Sequence, residues 1–567
     1  VSSSFWHLAT VIPASLYADN SLLTTGESSA DTLVICPLEF QSALADWIKY
    51  RQHQGHSIVV RAPAASSAEI KAQIRRVAVA GNLKTVFLIG DVRSQRPVTA
   101  SIVATNYVAA QVNVLFGSEP EIASDNPFAD LDEDGIPELS IGRLPADTAD
   151  DVQAFLKRVI CYETDCLPDQ QWQRKINFVA GVGGFGGLID NLLEQTTKQI
   201  ITDLVPPHYQ TSMTFGSWRS PYCPDPRRFS ETAIGRLNEG CLFWVYIGHG
   251  QPTQLDRIHL PDQSHVILDD ETVEQVCCTS GSPIAIFLSC YTGAIDHCDD
   301  CLAENMIRQP QGPIGAICGT RVTMPYAMSL LALEMVNEFF DGEAISLGEL
   351  MKVAKQRMVD TDHATRENHP PERPASQRDI FREMIQGMGE LLSPNSNLLR
   401  AECVEHAQLI HLLGDPLLRL KRPHKIEITV TDQTDRFSSI HVCGIAPQAG
   451  ELTIELCYRR DRFRVRPPRR KSYVSTDAEF RNYQDVYESS HDLTCYRQQL
   501  TVKPGAFELT FDVPADVSGD CLVRCMLQNG ASFGLGSTSI TIAQDRPVRS
   551  ASLGLQKSLT KESQPTH

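Results

Sequence analysis

His249, in the run Gly248-His249-Gly250, and Cys290, in Ser289-Cys290-Tyr291, are residue types that pair for nucleophilic catalysis. A thiol with an ordinary pKa near ~8.5 is mostly protonated at neutral pH, and an imidazole that takes its proton makes it an effective nucleophile. Glycines beside the histidine let backbone approach a substrate carbonyl, so the Gly250 and Cys290 amides are candidates for an oxyanion hole. Taken singly, His249 reads as a hydrogen-bonded loop residue and Cys290 as a buried thiol; each follows an apolar run, and that tips the pair toward chemistry. A second group, Asp130-Leu-Asp132-Glu-Asp134-Gly135, has the first half of a calcium loop, with oxygen ligands at alternating positions and a glycine at the turn. Position twelve is Ile141, which excludes an EF-hand, and a solvated acidic turn is the alternative to a calcium site at Asp130, Asp132 and Asp134. The spacing of His297-Cys298-Asp-Asp-Cys301 could chelate zinc, but no second pair lies near it in sequence.

Two strands must carry the reactive pair. Leu242–Ile247 and Ile284–Ser289 are apolar, β-branched runs that end at His249 and Cys290, and ligands of open α/β sheets bind beyond such carboxyl ends. Further strands are predicted at 32–36, 57–61, 85–89, 176–180, 314–318 and 412–420, with helices at 40–53, 190–204 and 380–392. Alternation of strand and helix predicts a mostly parallel sheet flanked by helices over residues 31–423. Residues 360–377 read as a long loop. Beyond Pro423 the pattern changes to period two, as in Lys425-Ile-Glu-Ile-Thr-Val430, and predicts a β-sandwich over 424–545. Residues 1–30 form an N-terminal extension and 546–567 a polar tail. Within the sandwich, the arginines of 459–471 read as a solvated hairpin, with a docking patch for an acidic protein partner as the alternative.

The 567 residues carry 51 basic against 69 acidic side chains, a net charge of -18, which disfavours nucleic acid as a partner. No apolar stretch is long enough to predict a membrane span. The 17 cysteines are odd in number and mostly sit in apolar runs, so they read as thiols rather than a disulfide framework.

The runs Tyr246-Ile-Gly-His-Gly250, Phe287-Leu-Ser-Cys-Tyr-Thr-Gly293, Cys301-Leu-Ala-Glu304 and Gly312-Pro-Ile-Gly-Ala-Ile-Cys-Gly-Thr-Arg321 resemble the core of the gingipain-type cysteine peptidases, peptidase family C25. Val86-Phe-Leu-Ile-Gly-Asp91, Ser140-Ile-Gly-Arg143 and Gly414-Asp-Pro-Leu-Leu418 fit the same family in the same order. The resemblance implies a caspase-like α/β fold followed by an immunoglobulin-like β-sandwich, and a cysteine endopeptidase acting on protein or peptide substrates. It makes Cys290 the nucleophile, His249 the general acid/base and Gly250 with Cys290 the oxyanion hole, with no cofactor required for the chemistry. It also places Asp190 roughly where arginine-specific members put the substrate-binding acid of the S1 pocket, against a helix-capping role, and it favours structural calcium. The family's histidine-orienting acid has no counterpart, since Val182 stands nearest that position. Two other functions remain open to the same fold: a non-catalytic caspase-like scaffold, and a sorting or transpeptidase enzyme in secretion. The resemblance points to a secreted or cell-envelope protein, while the thiols and the weak N-terminal signal point to the cytoplasm.

Overall fold

The structure is a computed structural model. It describes residues 29–92, 102–164, 170–181, 201–360, 377–393, 395–430, 438–530 and 532–543, together with residue 199 and the pair 433–434. The predicted N-terminal extension, save its last two residues, and the tail lie outside the described residues, as do Val182, Asp190 and residues 361–376 of the predicted loop.

Ten strands build the central sheet: β1 (Thr32–Ile35), β2 (Ile58–Arg61), β3 (Thr85–Ile89), β4 (Ser140–Leu144), β5 (Lys175–Ala180), β6 (Gln210–Phe215), β7 (Phe243–Ile247), β8 (Ile284–Leu288), β9 (Gly315–Gly319) and β10 (Ile410–Gly414). Their spatial order is β2-β1-β3-β4-β10-β9-β8-β7-β5-β6. Every neighbouring pair is parallel except β9 with β10, so two parallel halves of opposite direction meet at that seam. This is the mostly parallel α/β sheet of a caspase-like fold. Its central strands are buried on both faces, which is why they read as apolar runs. Trp244 and Phe287 on β7 and β8 meet edge to face at 5.8 Å between ring centres and are fully buried.

Two of the predicted elements shift. The strand expected at 412–420 ends at Gly414, because the buried Asp415 turns the chain: its carboxylate accepts from the Trp47 indole, the Arg51 guanidinium and the Leu417 amide. The helix expected at 40–53 begins as 3-10 turns over Leu38–Leu44 and becomes α over Ala45–His53.

A β-sandwich follows. Its strands are β11 (His424–Lys425), β12 (Ile428–Val430), β13 (Gln433–Thr434), β14 (Ser439–Ala446), β15 (Gly450–Tyr458), β16 (Thr494–Val502), β17 (Gly505–Asp512), β18 (Gly519–Asn529) and β19 (Ser532–Ile542). One sheet runs β11-β19-β18-β15-β16, with β13 also on β19, and the other runs β12-β14-β17. Their inner faces share a core that includes Ile440, Val442, Leu452, Ile454 and Val523. Between β15 and β16 the chain inserts a helix, Asp477–His491, which the period-two pattern around it does not announce. Of the arginines before that helix, Arg459, Arg462, Arg466 and Arg469 are exposed, while Arg460, Arg464 and Arg470 turn to the protein itself. Arg460 donates to the carbonyls of Ile201, Val205, Pro206 and Tyr209, Arg464 pairs with Asp492 and Asp516, and Arg470 donates to the Ser220 carbonyl.

Candidate active site

The register of β7 against β8 places the reactive pair. Phe243 stands opposite Ile284 and Ile247 opposite Leu288, and the Gly248 amide continues the ladder to the Leu288 carbonyl at 3.4 Å. His249 and Cys290 therefore leave adjacent parallel strands at the same height, two residues past the last pair, where strands lie about 4.8 Å apart. Both residues are half-buried. Their segments touch: a Cβ on Gly250 would lie 2.5 Å from the Cys290 carbonyl oxygen and 2.9 Å from the Thr292 methyl, so only glycine lets the two loops close on one another.

Cys290 Sγ is cradled by Thr323, from the loop after β9. The Thr323 amide donates to the sulfur at 3.3 Å, its hydroxyl lies at 3.5 Å, and the thiol in turn reaches the Thr323 carbonyl at 3.9 Å. The same residue thus accepts from the thiol and donates to the thiolate, so loss of the proton does not leave the sulfur without a partner. Tyr291 follows with φ +58°, the left-handed region that side chains seldom adopt. This turn is held from several sides: the Tyr291 amide donates to the Arg321 carbonyl, its hydroxyl donates to Glu119, and the Thr292 amide donates to the Cys290 carbonyl at 2.8 Å. Arg321 also forms a two-pronged pair with Asp296, at 2.9 and 2.7 Å, which ties the loop after Cys290 to the loop after β9.

The His249 loop is pinned from below by Tyr246. Its fully buried phenol donates to the His249 carbonyl at 2.8 Å and accepts from the Asp256 amide at 3.4 Å, while Asp256 N–H also reaches the His249 carbonyl at 3.1 Å. Burial and the neighbouring Asp256 carboxylate push the phenol's pKa far up, so it stays a donor at any working pH. A Cβ on Gly248 would sit 2.7 Å from that phenolic oxygen, which explains the glycine. Residues 249–256 return as an antiparallel turn in which Asp256 N–H meets the His249 carbonyl and Gln251 N–H the Gln254 carbonyl, with Gly250 opposite Leu255. Gly250 is therefore a non-hydrogen-bonded position of that turn. Among the described residues its amide donates to no backbone carbonyl, nor does the Cys290 amide. Asp256 and Thr323 carry no signal in the sequence, because both act here chiefly through backbone groups, and Tyr246, though it opens the run that resembles the family, has nothing in the sequence to mark the part its buried phenol plays.

The acidic loop gathers a different set of carboxylates from the expected one. Ligand oxygens of Asp130, Asp132 and Glu138 lie within 4.8 Å of one another. Asp134 is not among them; its carboxylate accepts the Ile136 amide. Burial, with the other loop carboxylates adding to it, raises the Glu138 pKa, and burial raises that of Asp130, so a hard dication would relieve the charge these groups hold. The donor set of Asp130, Asp132 and Glu138 fits calcium, Glu138 standing at the ninth loop position. In the cysteine-rich loop, Cys301 is buried at the start of helix Leu302–Arg308 and does not join the grouping His297, Cys298 and Asp299. No two of the described cysteines form a disulfide, and no helix among the described residues is long and apolar enough to cross a membrane.

The chain is similar to Gingipain R2 of Porphyromonas gingivalis, with 21% identity over 319 residues that cover 54% of this chain and 39% of that protein. It is also similar to Lys-gingipain of the same species, 22% identical over 279 residues covering 49% and 15% respectively. It thus spans about two fifths or less of the length of these relatives. Among solved structures, that of the Arg-specific cysteine proteinase gingipain R superposes with a TM-score of 0.50 at 13% identity, covering 91% of this chain and 98% of the other, a likeness of fold. The sequence model of peptidase family C25 matches residues 25–421, and the chain, with its paired strand ends presenting His249 and Cys290, belongs to that family.

Proposed function

We propose that the protein is a cysteine endopeptidase that cleaves peptide bonds through a Cys290–His249 dyad. The observation that carries this reading is the β7–β8 register, which brings an imidazole and a thiol to one height at the carboxyl edge of the sheet. His249 takes the Cys290 proton, and the thiolate, kept partnered by the Thr323 amide, attacks the scissile carbonyl. The amides of Gly250 and Cys290 receive the negative oxygen of the tetrahedral intermediate. His249 then gives its proton to the leaving amine as the C–N bond breaks, leaving a thioester on Cys290. A water that gives a proton to His249 attacks the thioester, and the acid product leaves as the thiol reforms. Tyr246 holds the histidine loop throughout. Because the relatives include Arg-specific and Lys-named enzymes, Asp190 is assigned as the S1 acid for a basic P1 side chain, and Asp130, Asp132 and Glu138 as a structural calcium site.

The test is covalent labelling with acyloxymethyl ketone peptides varied at P1, with calcium or a chelator, read by intact mass. Labelling of the wild type but not of Cys290→Ala, and weak labelling of His249→Ala, is the expected result, strongest with Arg or Lys probes. Labelling confined to other P1 residues would remove the Asp190 pocket while keeping the dyad. A folded wild type that takes no probe in either condition would return the fold to the non-catalytic scaffold reading.

A further inference from the structure

On the sandwich, outside the catalytic site, three side chains of different ligand chemistry converge. Strand β14 alternates, with Ile440 and Val442 buried and Ser439, His441 and Cys443 turned outward. Strand β17 pairs with it so that His441 faces Thr510 and Cys443 faces Glu508. The four residues therefore form a square on the outer face of the β12-β14-β17 sheet, whose other neighbour of Cys443 is Thr429 on β12. Both sides of β14 are hydrogen-bonded into the sheet, so the square is held by the ladder rather than by a loop.

We propose that His441, Cys443 and Glu508 bind one divalent ion of the zinc class. His441 Nδ1 lies 3.0 Å from the Thr510 hydroxyl, an outer partner that orients the ring and leaves Nε2 as the coordinating atom. Nε2 lies 3.2 Å from Cys443 Sγ and 4.0 Å from Glu508 Oε2, and one ligand atom from each of the three falls within 4.8 Å of the others. A tetrahedral zinc with bonds of about 2.0 Å to nitrogen and 2.3 Å to sulfur sets these two atoms about 3.5 Å apart, so the cysteine and histidine already stand at coordinating distance. Glu508 is 72% exposed and free to swing in. A thiolate, an imidazole and a carboxylate together suit zinc, and the thiolate is unsuited to calcium or magnesium. Three protein ligands leave the fourth position to water, and binding releases the Cys443 proton.

The other mixed grouping, His297, Cys298 and Asp299, has different geometry. There the sulfur lies 3.9 and 3.8 Å from the two ring nitrogens, against the ring rather than along either lone pair, and Nδ1 already accepts the Asp299 amide. It serves as the control.

The experiment titrates cobalt(II) into the chelator-stripped full chain and follows the thiolate-to-cobalt charge-transfer absorption, with zinc stoichiometry from native mass spectrometry. One metal per chain is expected, with the band kept in Cys298→Ser and Cys290→Ala, lost in Cys443→Ser and weakened tenfold or more in affinity in Glu508→Gln, at least the effect of losing an outer-shell partner. Because the square faces outward, metal-free wild type and variants should melt together. No band in the wild type, a band that survives Cys443→Ser, or one that disappears with Cys298→Ser or Cys290→Ala would overturn the assignment.

Discussion

At the scale of single residues, the oxyanion-hole assignment turns on a glycine. Gly250 presses on the Cys290 carbonyl so closely that a methyl group would fall 2.5 Å from a backbone oxygen, and backbone cannot rotate away as a side chain can. Gly250→Ala is therefore expected to displace its own amide from the reacting carbonyl and lower kcat by about 10²–10³, the loss seen when one oxyanion donor is removed. Steady-state kinetics alongside a melting curve checks this; a variant with normal kcat would remove Gly250 from the hole. Tyr246→Phe makes a gentler test of the histidine loop. It deletes one buried hydrogen bond to the His249 carbonyl, worth about 0.5–1.5 kcal/mol. The expected outcome is a kcat reduced up to about tenfold with KM little changed, because the phenol is fully buried. An altered KM at constant kcat would mean that Tyr246 shapes a binding surface instead.

At the scale of elements, the placing of Cys290 depends on a clamp between two loops. Arg321 grips Asp296 with two prongs and offers its carbonyl to the left-handed Tyr291, so the turn that presents Cys290 is fastened to the loop that brings Thr323 to its sulfur. Arg321→Lys keeps the charge but loses the fork, and is expected to slow acylation several-fold to tenfold while circular dichroism stays unchanged. Probe-labelling rates measure it, and equal rates would show that the turn holds itself. How much of this the sequence discloses follows from burial. Strands β7 and β8 are buried on both faces and announce themselves as apolar runs, and with them the positions of His249 and Cys290. Strand β6, Gln210–Phe215, is polar and lies at the sheet edge; its strand character depends on β5 beside it and on helix Asp477–His491 packed over it, neither of which local pattern can reveal. Leu412–Leu420 looks like one strand until Asp415 finds Trp47 and Arg51 more than 360 positions away. Thr323 and Asp256 contribute amides, which every residue has, so no residue type marks them.

At the scale of the molecule, the sandwich is joined to the α/β part by buried polar contacts as well as by packing. Helix Asp477–His491 covers the β6 edge, where an exposed ladder would invite pairing with another chain: the Met213 amide donates to His491 Nε2, and Thr214 meets the Tyr487 hydroxyl. Burial and Arg236 hold the His491 pKa down to about 4, so its ring stays neutral and remains an acceptor. The strongest joint is Glu455 on β15. Its fully buried carboxylate accepts from Arg174, which leads into β5, at 3.1 Å, and from Arg497 and Arg524 of the sandwich at 2.7 and 2.6 Å. Burial alone would raise this acid, but the Arg524 and Arg174 guanidinium groups outweigh it and hold the pKa at about 2 against an ordinary 4.5. A carboxyl group depressed in the folded state contributes its full stability above pH 4.5 and loses it as pH falls toward 2. The shift corresponds to about 3 kcal/mol. Glu455→Gln strands the two buried guanidinium groups of Arg174 and Arg524 and is expected to cost about 3–5 kcal/mol at pH 7. In urea unfolding at pH 7 and at pH 3, the gap between wild type and Glu455→Gln should narrow at the lower pH, because the wild type is then losing the same interaction. A gap that stays constant between the two would show that Glu455 acts by shape and packing, and that the joint between the two parts does not rest on its charge.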